Sequence, residues 1–204
     1  MVADTHEVLI LRGLYYVHLY AAFEHSVNQG VQSFLKAVTN LRVSTAHFEL
    51  PLFSVALDSQ LSSLGDVGEA KKWGRRLDIF NRQNSEGKCV LNDTVFGLYL
   101  QNVWIENLQQ VFNCLNIPDP VIPDPRLGPY VEEIVEKRNI VAHGRESPAI
   151  VGRGTRTPEL KIRLDAIAEV VQHIFDCFEK GLTTRSFIAP QHRATYLIPT
   201  AAHE

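Results

Sequence analysis

The longest regular pattern in the chain runs from Thr5 to about residue 38. Across it Tyr16, Leu19, Tyr20, Phe23, Val27, Val31, Phe34 and Val38 recur at three- and four-residue spacing, which is one face of a helix. Asp4 or Thr5 caps the start, and Asp4 with Glu7 has capping-box spacing. A helix with one apolar face has to bury that face on other elements. The rest of the chain supplies three more of the same kind. Asn92-Asp93 opens a stretch of about 94–116 whose face is Val95, Tyr99, Val103, Trp104, Leu108, Val111, Phe112 and Leu115. Pro129 to Arg145 is the next. Thr157-Pro158 opens the last, with Leu164, Ile167, Ala168, Val171, Ile174, Phe175 and Phe178 as its seam and Gly181 as its end. Strand signals are weak. The expected fold is all-α, a bundle of about four main helices with an irregular insertion between the first two.

That insertion covers residues 41–91. Val43 to Leu57 contains Pro51 and reads as irregular or briefly extended, Asp66 to Arg82 as a short helix, and Asn81 to Lys88 as a loop. Four prolines (Pro118, Pro120, Pro123, Pro125) hold an extended connection before Pro129, and Ser147 to Thr157 reads as a loop. One helical domain over residues 1–184 is expected. Residues 185–204 lack periodicity and are expected to be a tail, extended or mobile.

The stretch PYVEEIVEKRNIVAHGR carries the chemistry. Proline suits its first turn and Gly144 its end. Val131, Ile134, Val135, Val141 and Ala142 form an apolar stripe, and Arg138 falls in the middle of it. An arginine there is costly unless a carboxylate, a phosphate or a subunit interface meets it. Glu24, on the edge of the first helix's apolar face, is the candidate carboxylate. Asn139 and His143 are four residues apart, hence one turn apart beside Arg138.

Net charge is −3, which argues against a general nucleic-acid binder. Residues 137–163 depart from that balance, with seven Lys or Arg against two acids. Lys137, Arg145, Arg153 and Arg156 are therefore candidate phosphate contacts, with a solvated loop and helix face as the alternative. A second basic cluster, Lys71, Lys72, Arg75 and Arg76, reads as an exposed helix face. Trp104 reads as core or interface rather than as a base-stacking platform. The cysteines (Cys89, Cys114, Cys177) show neither pairing nor metal-ligand spacing. No apolar run is long enough to span a membrane and no secretory signal is visible, so a cytoplasmic location and no membrane partner are expected.

The residues Arg138-Asn139-x-x-x-His143 resemble the signature of the HEPN superfamily. With Leu19-Tyr20-Ala21-Ala22-Phe23-Glu24 before them and Ala142-His143-Gly144-Arg145-Glu146 at their end, the layout looks like its MAE-type branch over most of residues 5–182. The resemblance implies a metal-independent endoribonuclease, often a toxin or antiviral effector, with no cofactor. It also allows the alternative of a catalytically silent module that binds RNA, nucleotide or a partner protein. It implies a homodimer with a composite site, and an antitoxin or defence-system partner. In such an enzyme the RNA 2′-OH attacks the adjacent phosphate. His143 suits the acid–base work, since histidine titrates near neutral pH. Arg138 offers a donor fork to phosphate oxygens. Asn139 orients the histidine or binds a phosphate oxygen. Glu24 supports Arg138 and transfers no proton. Only with this resemblance do Lys137, Arg145, Arg153 and Arg156 become candidate RNA contacts.

Overall fold

The computed structural model describes residues 4–197. His203 and residues 198–204 of the expected tail lie outside them. The helices are α1 (His6–Asn40), α2 (Leu50–Ala56), α3 (Asp58–Ser63), α4 (Glu69–Asn81), α5 (Ile105–Cys114), α6 (Gly128–Ala142), α7 (Pro148–Arg153) and α8 (Thr157–Thr184). Short 3-10 turns join several of them. Among the described residues the only β pairing is two isolated bridges, Ser44 with Lys88 and Phe48 with Ile188. No helix there is long and apolar enough to cross a membrane.

The chain divides into two units. The first takes the chain as far as Gly30, then Phe96–Gln110 and Pro120–Asp176. The second takes Val31–Val95, Val111–Asp119 and everything from Cys177.

In the first unit the buried side chains include Tyr16, Leu19, Tyr20, Phe23 and Val27 of α1, Leu108 of α5, Val131, Ile134 and Val135 of α6, and Ile167, Val170 and Ile174 of α8. Those of α1, α5 and α6 belong to the stripes read from the periodicity, but Val141 and Ala142 are not buried; on α8 Leu164, Ala168 and Phe175 of the expected seam are exposed, and Val170, outside it, is buried. Two glycines set the approach of α7 to α1. A Cβ on Gly13 would stand 1.9 Å from the Pro148 carbonyl oxygen, and one on Gly152 would stand 2.0 Å from that of Leu9. Only hydrogen fits at either point.

The second unit is built on an aromatic cluster. The Phe34 ring lies 5.5 Å from Phe178 and 5.6 Å from Phe187, and Phe112 lies 5.5 Å from Phe178. Phe187 and Ile188 are fully buried. Their segment is pinned by main-chain bonds, Glu49 N–H to Phe187 O and Ala189 N–H to His47 O, each 2.9 Å. Of the segment expected to be a tail, Arg185, Phe187 and Ile188 are thus buried, while Pro190, Gln191 and Leu197 are exposed.

Four local expectations are corrected. Pro51 does not keep its segment irregular: it sits in the first turn of α2, where its missing N–H costs nothing. The second long helix starts at Ile105 and not near 94, because side chains take the backbone groups that a helix would use. The Tyr20 hydroxyl binds Gln101 O and Val103 N, and Asn107 Nδ2 binds Tyr99 O and Asn102 O. The loop after the motif contains α7, capped by Ser147, whose hydroxyl accepts from Ile150 N–H. Gly181 does not end α8; it lies inside the helix, with space for a Cβ only 3.4 Å from Phe34. The helix ends at Thr184, and Arg185 just after it takes the left-handed conformation (φ 54°) more usual for glycine.

Candidate functional site

The site lies in the first unit, where α6 ends. The ending is a Schellman motif. Gly144 adopts φ +66°, its N–H binds Val141 O at 3.1 Å, and Arg145 N–H reaches back to Ile140 O at 3.0 Å. His143 is the C-cap residue. Its backbone N–H still binds Asn139 O at 3.0 Å, while its side chain is exposed. The imidazole makes no hydrogen bond to another described residue, so both ring nitrogens are accessible to solvent or substrate.

Arg138 lies one turn earlier on the side that buries Ile134 and Val135. Its Nη1 donates to Asn139 Oδ1 at 2.7 Å and to Asn102 Oδ1 at 3.1 Å. Its Nη2 lies 3.4 Å from Glu24 Oε2, and its Cζ stands 4.3 Å from the Tyr20 ring centroid. Three oxygens and an aromatic face therefore fix the guanidinium plane. The arginine side chain keeps 23% of its exposure and Glu24 keeps 28%, so the pair is partly hydrated. That resolves the cost of an arginine on an apolar stripe: its stem is covered and its fork is paired.

Two residues of this site have no site role in the sequence reading, although Tyr20 stands on the first helix's apolar face there. Asn102 sits at extended φ/ψ (−126°, 106°), outside any helix. Tyr20 is buried beneath Arg138. The tyrosine hydroxyl donates to Gln101 O at 3.1 Å and accepts from Val103 N–H at 3.0 Å, which holds the Asn102 segment against α1. Burial, above all, pushes the Tyr20 phenol up; the Val103 bond partly offsets it. Asn102 falls in a stretch that reads as helix, and Tyr20 reads as ordinary core, so neither announces itself.

Asn139 uses its carbonyl oxygen on Arg138. That assigns the amide orientation, since a guanidinium only donates. Its Nδ2 has no hydrogen-bond partner among the described residues. Asn139 also lines a groove of about 380 Å³ with Trp104, Glu136, Ile140, Arg145 and Glu146.

The basic candidates separate. Arg145, Arg153 and Arg156 are exposed, and their side chains make no ion pair among the described residues. Lys137 has a different commitment. Its ammonium binds Glu133 Oε1 at 2.6 Å, the Tyr16 hydroxyl at 3.0 Å and Thr155 Oγ1 at 3.1 Å. Glu133 also accepts from Arg163 Nε at 3.0 Å. Burial opposes both charges, yet hydrogen bonds and mutual attraction win. The Glu133 carboxyl is held below its usual range and the Lys137 ammonium above it. This network holds α1, α6 and α8 together and leaves no free ammonium for a phosphate.

In the second unit, the α4 basic cluster flanks an apolar hollow lined by Leu61, Leu64, Trp73, Leu77, Ile79 and Phe80. Elsewhere in this unit His47 and His192 stack at 3.7 Å, with His47 Nδ1 2.8 Å from the Tyr196 hydroxyl. Among the described residues no three His, Cys, Asp or Glu side chains are grouped to hold a metal ion.

A family model described as RiboL-PSP-HEPN matches residues 2–180. The superfamily is the one the motif resembles. No curated protein and no solved structure matches the chain.

Proposed function

The chain belongs to the RiboL-PSP-HEPN family, and from that premise we propose that it is a cytoplasmic, metal-independent endoribonuclease centred on Arg138, Asn139 and His143. The observation that carries this reading is the division of labour at the end of α6. Arg138 is clamped by Glu24, Asn102, Asn139 and Tyr20, while the His143 imidazole is exposed and unoccupied one turn later. A fixed charge beside a free acid–base group is what phosphate transesterification needs.

In the proposed reaction the 2′-OH loses its proton to an imidazole and its oxygen attacks the adjacent phosphorus. The P–O5′ bond breaks, and the leaving oxygen takes a proton. The products are a 2′,3′-cyclic phosphate and a 5′-OH. Arg138 and the free Nδ2 of Asn139 meet the phosphorane oxygens. One histidine per chain supplies one proton relay, so a homodimer with two facing motifs supplies acid and base together. Arg153 and Arg156, exposed and without an ion pair among the described residues, provide the cationic track for the RNA backbone. An activity of this kind needs restraint, which suits a toxin or defence effector held by an antitoxin or a defence-system partner.

The test is the chemistry of the ends. An RNA with a single 2′-deoxy nucleotide at the scissile position should resist cleavage there, and the cleaved control should carry cyclic-phosphate ends. Cleavage that proceeds at the deoxy position removes this mechanism.

One observation favours a second reading. No side chain orients His143 among the described residues. A binding module without turnover would retain RNA affinity, with no cleavage under any condition.

A further inference from the structure

The groove beside Asn139 has a composition that the transesterification does not use. Glu136, Asn139 and Ile140 lie on one face of α6 at i, i+3 and i+4. The Schellman turn folds Arg145 and Glu146 back onto that face through the Arg145 N–H to Ile140 O bond. Trp104, half-buried before α5, forms part of the remaining wall. At about 380 Å³ the groove is in the size range of small-ligand sites.

Two carboxylates against one guanidinium make this a poor place for a phosphate. The same set suits a neutral aromatic ring that offers both donors and acceptors. Trp104 and Ile140 give it flat and apolar surface. Carboxylates only accept, and Arg145 and Asn139 Nδ2 only donate. Among the RNA bases guanine alone has two adjacent N–H donors on one edge, at N1 and N2, which one carboxylate takes together. Its O6 and N7 form an adjacent acceptor pair, which a guanidinium takes together. Uracil has a single N–H between two carbonyls. Adenine and cytosine have one amino group beside ring acceptors, and these would face a carboxylate unpaired.

We propose that this groove is a guanine-reading subsite, a specificity determinant that rests on the RNA-cleaving reading of the same site. Glu136, carried on the helix, accepts from N1–H and N2–H; Arg145 donates to O6 and N7; Trp104 stacks on the ring. Because Asn139 borders both the groove and Arg138, the bound base is adjacent to the phosphate that is cut. Cleavage then falls beside guanosine.

The test is calorimetric titration of the full chain with 5′-GMP, 5′-AMP, 5′-CMP and 5′-UMP, with Glu136→Gln, Arg145→Ala and Trp104→Phe compared. GMP should bind at least about tenfold tighter than the others. Glu136→Gln should erase that preference, and Arg145→Ala should weaken GMP more than UMP. Glu136 and Arg145 are exposed, so both variants should keep the wild-type circular dichroism. Absence of nucleotide binding, equal binding of all four, or a GMP preference that survives Glu136→Gln overturns the proposal. The two readings separate cleanly. A GMP preference in a protein that cuts no RNA upholds the subsite and removes the catalytic reading. His143-dependent cleavage without a guanine preference does the reverse.

Discussion

The Arg138 guanidinium carbon stands 4.3 Å from the centre of the Tyr20 ring, with Glu24, Asn102 and Asn139 at its edges. The side chain is held as a planar fork, not merely as a charge. Arg138→Lys keeps the charge and loses the fork. It should lower RNA cleavage by about a hundredfold, the usual cost of one preorganised donor, while leaving the melting temperature nearly unchanged. Initial rates on one RNA substrate, with a thermal melt alongside, check both halves.

Tyr20→Phe is a sharper test of how the site is assembled. The hydroxyl serves Gln101 O and Val103 N–H, and Val103 is fully buried. Removing it leaves a buried N–H unpaired, which costs about 1–3 kcal/mol in chemical denaturation. It also loosens the Asn102 segment, so cleavage should fall although no phosphate contact has been deleted.

How far this site could be read in advance follows from the same residues. Arg138, Asn139 and His143 lie on one uninterrupted helix, where spacing alone fixes their faces, and Gly144 marks the end because its φ of +66° suits glycine. Glu24 was legible because α1 keeps its register for 35 residues. Asn102 was not, because its helical-looking stretch loses its backbone bonds to Tyr20 and Asn107, partners that spacing does not reveal. The six residues of α7 are too few to show a period. Phe187 and Ile188 are buried through a bridge and loop bonds that impose no repeat. Long-range satisfaction of backbone groups, more than propensity, separates the fold seen from the fold read.

The Lys137–Glu133–Arg163 network makes stability depend on pH. Glu133 has a folded pKa below its ordinary value near 4.5. Its contribution is therefore present above that value and lost as pH falls through the lower folded one. Glu133→Gln should flatten the acid limb of a stability–pH profile measured by denaturant midpoint. At neutral pH it should cost on the order of 1–3 kcal/mol; the side chains keep about a fifth of their exposure, which holds the loss below that of a fully buried pair.

The contact of α1 with α7 has no slack. Gly13→Ala would place a methyl 1.9 Å from the Pro148 carbonyl oxygen, a backbone atom that has to move for it. Destabilisation of about 2 kcal/mol or more is expected, read as a lower denaturation midpoint or loss of soluble protein. Gly74→Ala, on exposed α4 with nothing within 4 Å, should be neutral or slightly stabilising.

The central claim is that His143 moves protons in RNA cleavage without a metal. The most direct measurement is cleavage of a mixed RNA substrate in excess EDTA by wild type and His143→Ala, purified identically. His143 is exposed and makes no side-chain hydrogen bond to another described residue, so the variant should fold as wild type does. The account predicts cleavage by wild type with cyclic-phosphate ends, and a rate about a hundredfold to ten-thousandfold lower in the variant. Equal cleavage by both proteins, or activity that EDTA abolishes, would contradict it.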